Sequence, residues 1–499
     1  MGNSSQLVTI LPTAIAGLGG MLLALLPRGP ERRPAVLAGV VLFLACVAAF
    51  SGEWAYTGYV QNGGVVPRAL LGAGFLSDPV TWFFTILVLF GTLITVMMSF
   101  GQLERLGIVA APEFYGLLLM TSASAIVLVG AGEMVTLFVG LEALSMGLYC
   151  LCGSASGSRK SVEGALKYFI LGSFSSAFLL YGMAVLYGTV GSTELAQIAQ
   201  VLPNSGQSLA AIGIGLVLVG LFFKLGAVPF HFWAPDVYQG APTPVTAYMA
   251  SVVKAAALAM AIRFLWTAFG DSVVVSWWVG FAWTVAVLTM IVGNVIAVRQ
   301  RNVKRMLAYS SIAHVGYLSA ALLTSAEQYG GGAALLFYIV IYSIVTFGAF
   351  AVTMVVTGER VDTPAADDIS MFSGLAQRHP LLAAAMTLFL LTLAGLPPGV
   401  IGLVGKFYLL SAVVKAHYVG LAIIAGLCSA ISCYYYLRVV MAMYVQEPSE
   451  ETPEASMTTP PAVRLVIIGM AVISLVLGVV PAPLYNRAQV MMTSVFRSR

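Results

Sequence analysis

Apolar residues along this chain neither alternate nor keep to one helical stripe. They form runs of about 17 to 26 positions that recur over the whole length, with polar residues collected in the short stretches between. At 1.5 Å per residue, each run as a helix is long enough to cross a hydrocarbon layer of about 30 Å. A helix that is apolar all round has no face for water, so the pattern predicts an all-α integral membrane protein. Glycine, proline and charge divide it into about fourteen spans, the first starting near Leu7 and the last near Val463. The stretch Leu381 to Lys415 is too long for one plain span and carries Gly395-Leu396-Pro397-Pro398-Gly399 in its middle. It reads as a broken twelfth helix, followed by a thirteenth from Val419 to Tyr444.

The connections carry a second pattern. Arg28, Arg32, Arg33, Arg105, Arg159, Lys160, Arg299, Arg301, Lys304, Arg305, Arg360, Arg378 and Arg464 all fall in alternate loops, while the opposite set holds little beyond Arg68 and Lys415. Cytoplasmic loops collect Lys and Arg, so the alternation predicts an even number of spans with both termini outside. Arg487, Arg497 and Arg499 near the C-terminus run against it. Span seven is interrupted at Phe222 to Pro229 and span twelve at Leu393 to Lys406, and both place a lysine beside the interruption. These breaks lie five spans apart, as two inverted five-helix repeats would place them, and in transporters such broken helices mark the ion path. The expected division is 1–112 for spans one to three, 113–268 for spans four to eight, 269–445 for spans nine to thirteen, and 446–499 for a linker and span fourteen. From Gln446 to Pro461 four glutamates and four prolines read as a solvated acidic linker.

Composition narrows the function. Hydrophobic residues make up 60% of the 499 positions and charged ones 9%, against about 25% charged in a soluble domain, so a soluble fold is excluded. The net charge of +4 is spread over short loops without a basic block, which argues against nucleic acid as a partner. The five cysteines form no CxxC or Cys/His cluster and read as small apolar filler, with no metal or disulfide implied. No Lys or Arg precedes the first run, so that run reads as a retained helix, and Gln6 stands where a myristoylation signal needs Ser or Thr. Gly402 to Lys406 lacks phosphate-loop spacing and is followed by Phe407; no dinucleotide, haem or iron–sulfur motif occurs. Any work this chain does must therefore draw on an ion gradient or on attached subunits.

A charged side chain at mid-bilayer costs roughly 2.5 to 3.5 kcal/mol, so those that occur need a reason. Four lie deep: Glu142 in span five, Lys224 at the break of span seven, Lys254 in span eight, and Lys406 after the break of span twelve. A buried amine favours its neutral form and a nearby carboxylate favours the charged one, so a Glu/Lys pair has two accessible protonation states. Glu142 and Lys224 are the expected pair, read either as the start of a proton route or as a static salt bridge. His231 and His314 suit proton relay near neutral pH and equally suit hydrogen-bonded core positions. Lys167 lies close enough to the end of span six to reach the interface. His314, Ser343 and Thr346 stand between Lys254 and Lys406 as polar stepping stones that would need water. Glu133 reads as a solvated cap. Pro229, Gly395, Pro397 and Pro398 are the residues that break the helices.

Around these residues the chain closely resembles subunit N of bacterial respiratory complex I, a member of the antiporter-like membrane subunits. The likeness spans nearly the whole length and is sharpest at Phe223-Lys224-Leu225-Gly226-Ala227-Val228-Pro229-Phe230-His231-Phe232-Trp233-Ala234-Pro235-Asp236-Val237-Tyr238-Gln239-Gly240-Ala241-Pro242-Thr243-Pro244-Val245 and at Asn302 to His314. The resemblance implies fourteen helices, inverted repeats and two proton half-channels. It puts the family's proton-relay residues on Glu142, Lys224, Lys254 and Lys406. Lysine at position 406 fits subunit N, since the sister subunit M generally has glutamate there and subunit L is longer. It further implies no redox cofactor in this chain, with NADH, FMN, iron–sulfur clusters and quinone in the rest of the complex. Expected partners are the M and L subunits, the small subunits K, J, A and H, and the lipid bilayer, in a bacterial inner membrane. Quinone reduction elsewhere would toggle Glu142 and Lys224 and drive a proton through Lys254 to Lys406. A subunit of a multi-subunit sodium/proton antiporter, the photosynthetic ferredoxin-dependent relative, and a plain membrane scaffold are the competing readings.

Overall fold

A computed structural model describes residues 4–28, 31–61, 69–70, 74–205, 207–324, 330–358, 367–448 and 459–496. The chain is almost wholly helical. Its main helices are α1 (Ser4–Ala24), α2 (Arg32–Gln61), α3 (Pro79–Ser99), α4 (Ala111–Gly130), α5 (Met134–Cys152), α6 (Arg159–Val190), α7 (Gln207–Leu225) and α8 (Thr243–Ala268). They continue with α9 (Ser272–Arg299), α10 (Val303–Leu322), α11 (Gly331–Thr357), α12 (Pro380–Ala394), α13 (Val400–Lys415), α14 (Val419–Tyr444), α15 (Pro461–Val479) and α16 (Ala482–Phe496). Short helices Leu195–Val201 and Trp233–Gly240 and a two-residue hairpin, Ala69–Leu70 with Phe75–Leu76, sit in the connections.

Several helices start three residues before the apolar run that reveals them, as at Arg159 against Val162 and Val303 against Met306. The missing turn is polar because its free N–H groups need acceptors. Ser158 accepts from Ser161 N, Asn302 from Arg305 N at 2.9 Å, and Asp78 from Thr81 N at 2.8 Å ahead of Pro79.

Among the described residues, eleven helices are long and apolar enough to cross a membrane. The sequence led us to expect fourteen spans. Beyond the eleven, α1 qualifies only as a shorter apolar helix, α10 is diluted by Lys304, Arg305, His314 and hydroxyls, and α12 and α13 are 15- and 16-residue pieces. The expected break of span twelve is present. Gly395 ends α12 at φ +83°, donating with Leu396 to the Leu391 carbonyl, and the two prolines that follow cannot extend the helix. Gly226, at φ +75°, ends α7 in the same manner.

α8 is not the plain helix expected of span eight. It widens to π geometry over Met249–Val253 and Arg263–Ala268, on either side of Lys254. Such segments rotate the residues after them relative to an α-helix, and they recur at functional positions. With α11, α8 forms the buried axis of the bundle, whereas α2, α6, α14 and α15 turn side chains such as Phe43, Phe174, Leu427 and Val472 outward. A surface this apolar needs lipid around it.

Ion pairs tie the helix ends together. On the face of the basic loops Arg28 meets Glu113 at 3.1 Å, Arg305 meets Asp236 at 2.6 Å, and Arg438 donates to the Val298 and Gln300 carbonyls. On the opposite face α16, which the sequence did not reveal, packs on the start of α11, and its Arg487 is paired with Glu53. Of the linker glutamates, Glu447 is exposed; Glu450, Glu451 and Glu454, like Arg68, Arg360, Arg497 and Arg499, lie outside the described residues. The cysteines are free, and Cys150 is exposed on α5 rather than in the core.

Candidate functional site

Three buried lysines line the interior. Lys224, in the last turn of α7, donates to Ser145 Oγ of α5 at 2.8 Å and to Tyr168 OH of α6 at 3.1 Å. Lys254, at the first π segment of α8, donates to the carbonyl oxygen of Ser311 on α10 at 2.9 Å and to the same residue's hydroxyl. Lys406, in the second turn of α13, donates to the Ala394 carbonyl across the break at 2.8 Å and to Ser429 Oγ of α14 at 2.8 Å. The helix break makes the Lys406 contact possible: where α12 stops, its last carbonyls have no helical partner, and that of Ala394 faces the amine.

All three amines are at most 6% exposed. Their hydrogen-bond partners are hydroxyls and carbonyls, and among the described residues none is within salt-bridge distance of a carboxylate. Three such burials cost on the order of 8 to 10 kcal/mol, comparable with the whole stability of a typical domain.

Glu142 and Lys224 are therefore not the direct ion pair that the sequence suggested. Glu142 is half-buried where α5 meets α6 and accepts from Ser176 of α6. Lys224 bonds to Ser145, three residues further along α5. A cavity of about 10 Å³ lined by Lys224, Ser145, Ser175 and Ser176 together with Leu141, Leu179 and Phe223 lies between Lys224 and the serine that holds Glu142, room for about one water. Spacing along a helix carries no information on which flank each group finds its partner.

Between Lys254 and Lys406 the polar contacts are denser than expected. Ser311 also accepts from Tyr342 OH at 2.7 Å. One turn on, His314 holds Tyr338 OH at 2.7 Å on Nδ1 and Tyr436 OH at 3.3 Å on Nε2, and Tyr436 in turn pairs with Ser310. The His314 ring lies 5.1 Å from that of Tyr342 and 5.7 Å from that of Tyr317, whose face lies under the Lys406 ammonium at 5.5 Å. Thr346 sits beside Tyr342 in this group. Ser343 instead lines a separate apolar cavity of about 40 Å³ with Leu87, Phe90, Val252 and Phe347.

The remaining candidates fall elsewhere. His231 is buried and stacked on Phe232, with no partner on Nδ1 among the described residues. Pro229 lies in the turn that leads to it. Lys167 is half-exposed and paired with Glu163 at 2.6 Å and Asp236 at 2.8 Å, within the same network as Arg305. Burial pushes the Asp236 carboxyl up, but the hydrogen bonds from Lys167 and Arg305 outweigh it and hold it below the ordinary carboxylate range. The network thus persists at neutral pH and is lost only as pH falls through that lowered value. Glu133 starts α5 and accepts from Thr136 and Thr193.

The most buried ion pair among the described residues was not foreseen from the sequence. Arg263 of α8 grips Asp78 with two bonds, 2.5 and 2.9 Å, and also donates to Thr81 Oγ1 and the Val129 carbonyl. Both residues stand at the ends of apolar runs, where a charge looks like an ordinary flank; Asp before Pro was the only available signal, and it announced the cap.

Comparison with known proteins places the arrangement in a family. A profile described as NADH:quinone oxidoreductase/Mrp antiporter, TM, matches residues 131–432, which include all four deep groups. NADH-quinone oxidoreductase subunit N 1 of Sorangium cellulosum (strain So ce56) is 40% identical over 503 residues, covering 95% of this chain and 96% of its own. A chain of respiratory complex I from Thermus thermophilus with bound aureothin superposes with a TM-score of 0.78 at 33% identity, covering 96% of this chain and 98% of its own. A chain of the Mrp complex from Dietzia sp. DQ12-45-1b shares the fold, with a TM-score of 0.81 at 21% identity and coverage of 98% and 97%. The fold alone does not separate the two kinds of assembly, but the sequence identity does: the chain belongs to the NADH:quinone oxidoreductase/Mrp antiporter membrane family, in its subunit N branch.

Proposed function

We propose that this chain is a proton-translocating membrane-arm subunit of NADH:quinone oxidoreductase, passing protons along Lys224, Lys254 and Lys406 in response to quinone reduction elsewhere in the complex. One observation carries this reading: three buried amines bonded only to neutral oxygens, among the described residues. An amine locked to a carboxylate keeps its proton; an amine held by a serine and a tyrosine can release it once water or a charge reaches it. Moving one proton against 100 mV takes about 2.3 kcal/mol, which must come from the electron-transfer subunits.

In this reading Glu142, half-buried at the bundle surface, receives the electrostatic signal and hands it to Lys224 across the small cavity. The 14-span topology, the inverted repeats at 113–268 and 269–445 with flanking segments 1–112 and 446–499, and termini on the outer side of a bacterial inner membrane belong to the same proposal. The matched breaks after α7 and within α12–α13 support them. NADH, FMN, iron–sulfur clusters and quinone would be held by other subunits, and M, L, K, J, A and H would be the membrane neighbours. The identity to subunit N relatives favours this over the sodium/proton antiporter and ferredoxin-linked readings.

Exchange at Lys406 tests the relay. In membranes containing the assembled complex, Lys406→Ala is expected to lower NADH-driven proton pumping by about tenfold or more, toward the roughly hundredfold that loss of a positioned proton-transfer group costs. Lys406→Glu keeps a titratable group beside Ser429 and is expected to retain several times more activity. Equal loss in both variants contradicts a relay role for this position.

A further inference from the structure

The hydrogen bonds leave one interval of the route unbridged. Lys224 reaches Tyr168 and Lys254 reaches Ser311, but no direct hydrogen bond among the described residues joins Tyr168 to Ser311. Tyr238, on the short helix Trp233–Gly240, stands in this interval. Trp233 of that helix stacks on Tyr168 with ring centres 4.5 Å apart and meets Tyr238 edge-on at 6.3 Å, so the three rings form one row leading away from Lys224. At its far end the Tyr238 hydroxyl lies against the Ser311 hydroxyl.

Tyr238 is 0% exposed, and among the described residues its hydroxyl makes no hydrogen bond of regular geometry, although it lies beside Ser311. A buried hydroxyl without a partner costs about 1–3 kcal/mol, and phenylalanine would fill the same space without that cost. The neighbouring serine sharpens the point. Ser311 Oγ already accepts from Lys254 and from Tyr342, which occupies both of its lone pairs and leaves its own O–H to donate.

We propose that the Tyr238 hydroxyl is a proton-passing group between Lys224 and Lys254, joined by water to Tyr168 on one side and to Ser311 on the other. The inference rests on the proton route proposed above. In the step, the Tyr238 oxygen accepts a proton from a water on the Tyr168 side while its own proton leaves to a water on the Ser311 side. One O–H bond forms as one breaks, and the phenol stays neutral throughout. The helix that carries Tyr238 is pinned by Asp236 to Lys167 and Arg305.

Inside-out membrane vesicles carrying the assembled complex provide the test, with Tyr238→Phe compared against Lys224→Ala and against Tyr115→Phe, a buried tyrosine bonded to Glu31 away from the route. Tyr238→Phe is expected to assemble normally and to lower NADH-driven pumping about tenfold, less than the roughly hundredfold or more that a positioned acid–base group contributes, with a larger slowing in deuterated water than the parent shows. Tyr115→Phe is expected to pump at the parent rate. A Tyr238→Phe complex that pumps at the parent rate while Lys224→Ala does not would overturn this inference and leave the proton route standing; parent pumping in both variants would overturn the route itself. Failure of Tyr238→Phe to assemble when Tyr115→Phe assembles would also count against the inference, since the hydroxyl would then be a packing element.

Discussion

Lys224→Ala is expected to reduce proton pumping by the assembled complex about a hundredfold, the scale on which loss of a positioned proton donor is felt. The amine touches both α5 and α6 from α7, through Ser145 and Tyr168, and its cavity also reaches the Ser176 that holds Glu142. Alanine removes the proton carrier and leaves two hydroxyls facing a void. Because a buried amine costs stability, assembly should be unharmed or slightly improved. That sign separates the two readings of the site: a structural lysine would lose assembly, whereas a relay lysine loses pumping alone. Glu142→Gln, which keeps the acceptor for Ser176 and removes the charge, should lower pumping in the same direction. Pumping measured by dye quenching in vesicles, normalised to the amount of assembled complex, checks both.

The second large effect is on stability. Arg263→Leu leaves the Asp78 carboxylate buried without its cation and should destabilise the chain by about 3–5 kcal/mol, as removing one partner of a buried pair does. Arg263 joins the end of α8 to the start of α3 and the end of α4 through four bonds, so its loss opens one end of the central helix. Replacing both partners, Arg263→Leu with Asp78→Val, should recover most of the loss, because no unpaired charge then remains. Thermal unfolding of the purified complex in detergent reads the difference. If the double variant is no more stable than Arg263→Leu, the cost lies in packing rather than in the uncompensated carboxylate.

The bundle was legible in the sequence because run length is a direct physical measure: a helix apolar on every side and about 20 residues long fits few surroundings other than a membrane. The breaks at Gly226 and Gly395 were legible too, since glycine and proline act on the backbone locally. Lys224, Lys254 and Lys406 stood out because a charge within an apolar run has a cost that needs a reason. What stayed hidden depends on azimuth rather than depth. Whether Glu142 faces Lys224 or Ser176 turns on the rotation of α5 against α6, and no spacing rule encodes that. The π segments around Lys254 leave no compositional mark. Arg263 and Asp78 look like helix flanks until α8 and α3 are seen side by side. Tyr168, Tyr338 and Tyr436 were invisible as partners because tyrosine is common in membrane helices and only its hydroxyl's neighbours give it a role.

The account depends most on water reaching the buried amines, and a density map of the assembled complex fine enough to place single waters tests this directly. Ordered waters are expected between Lys224 and Ser176, between Tyr238 and its neighbours Tyr168 and Ser311, and around Lys406 beside Ser429. Dry, tightly closed packing at all three places in the active enzyme would contradict proton passage through this chain.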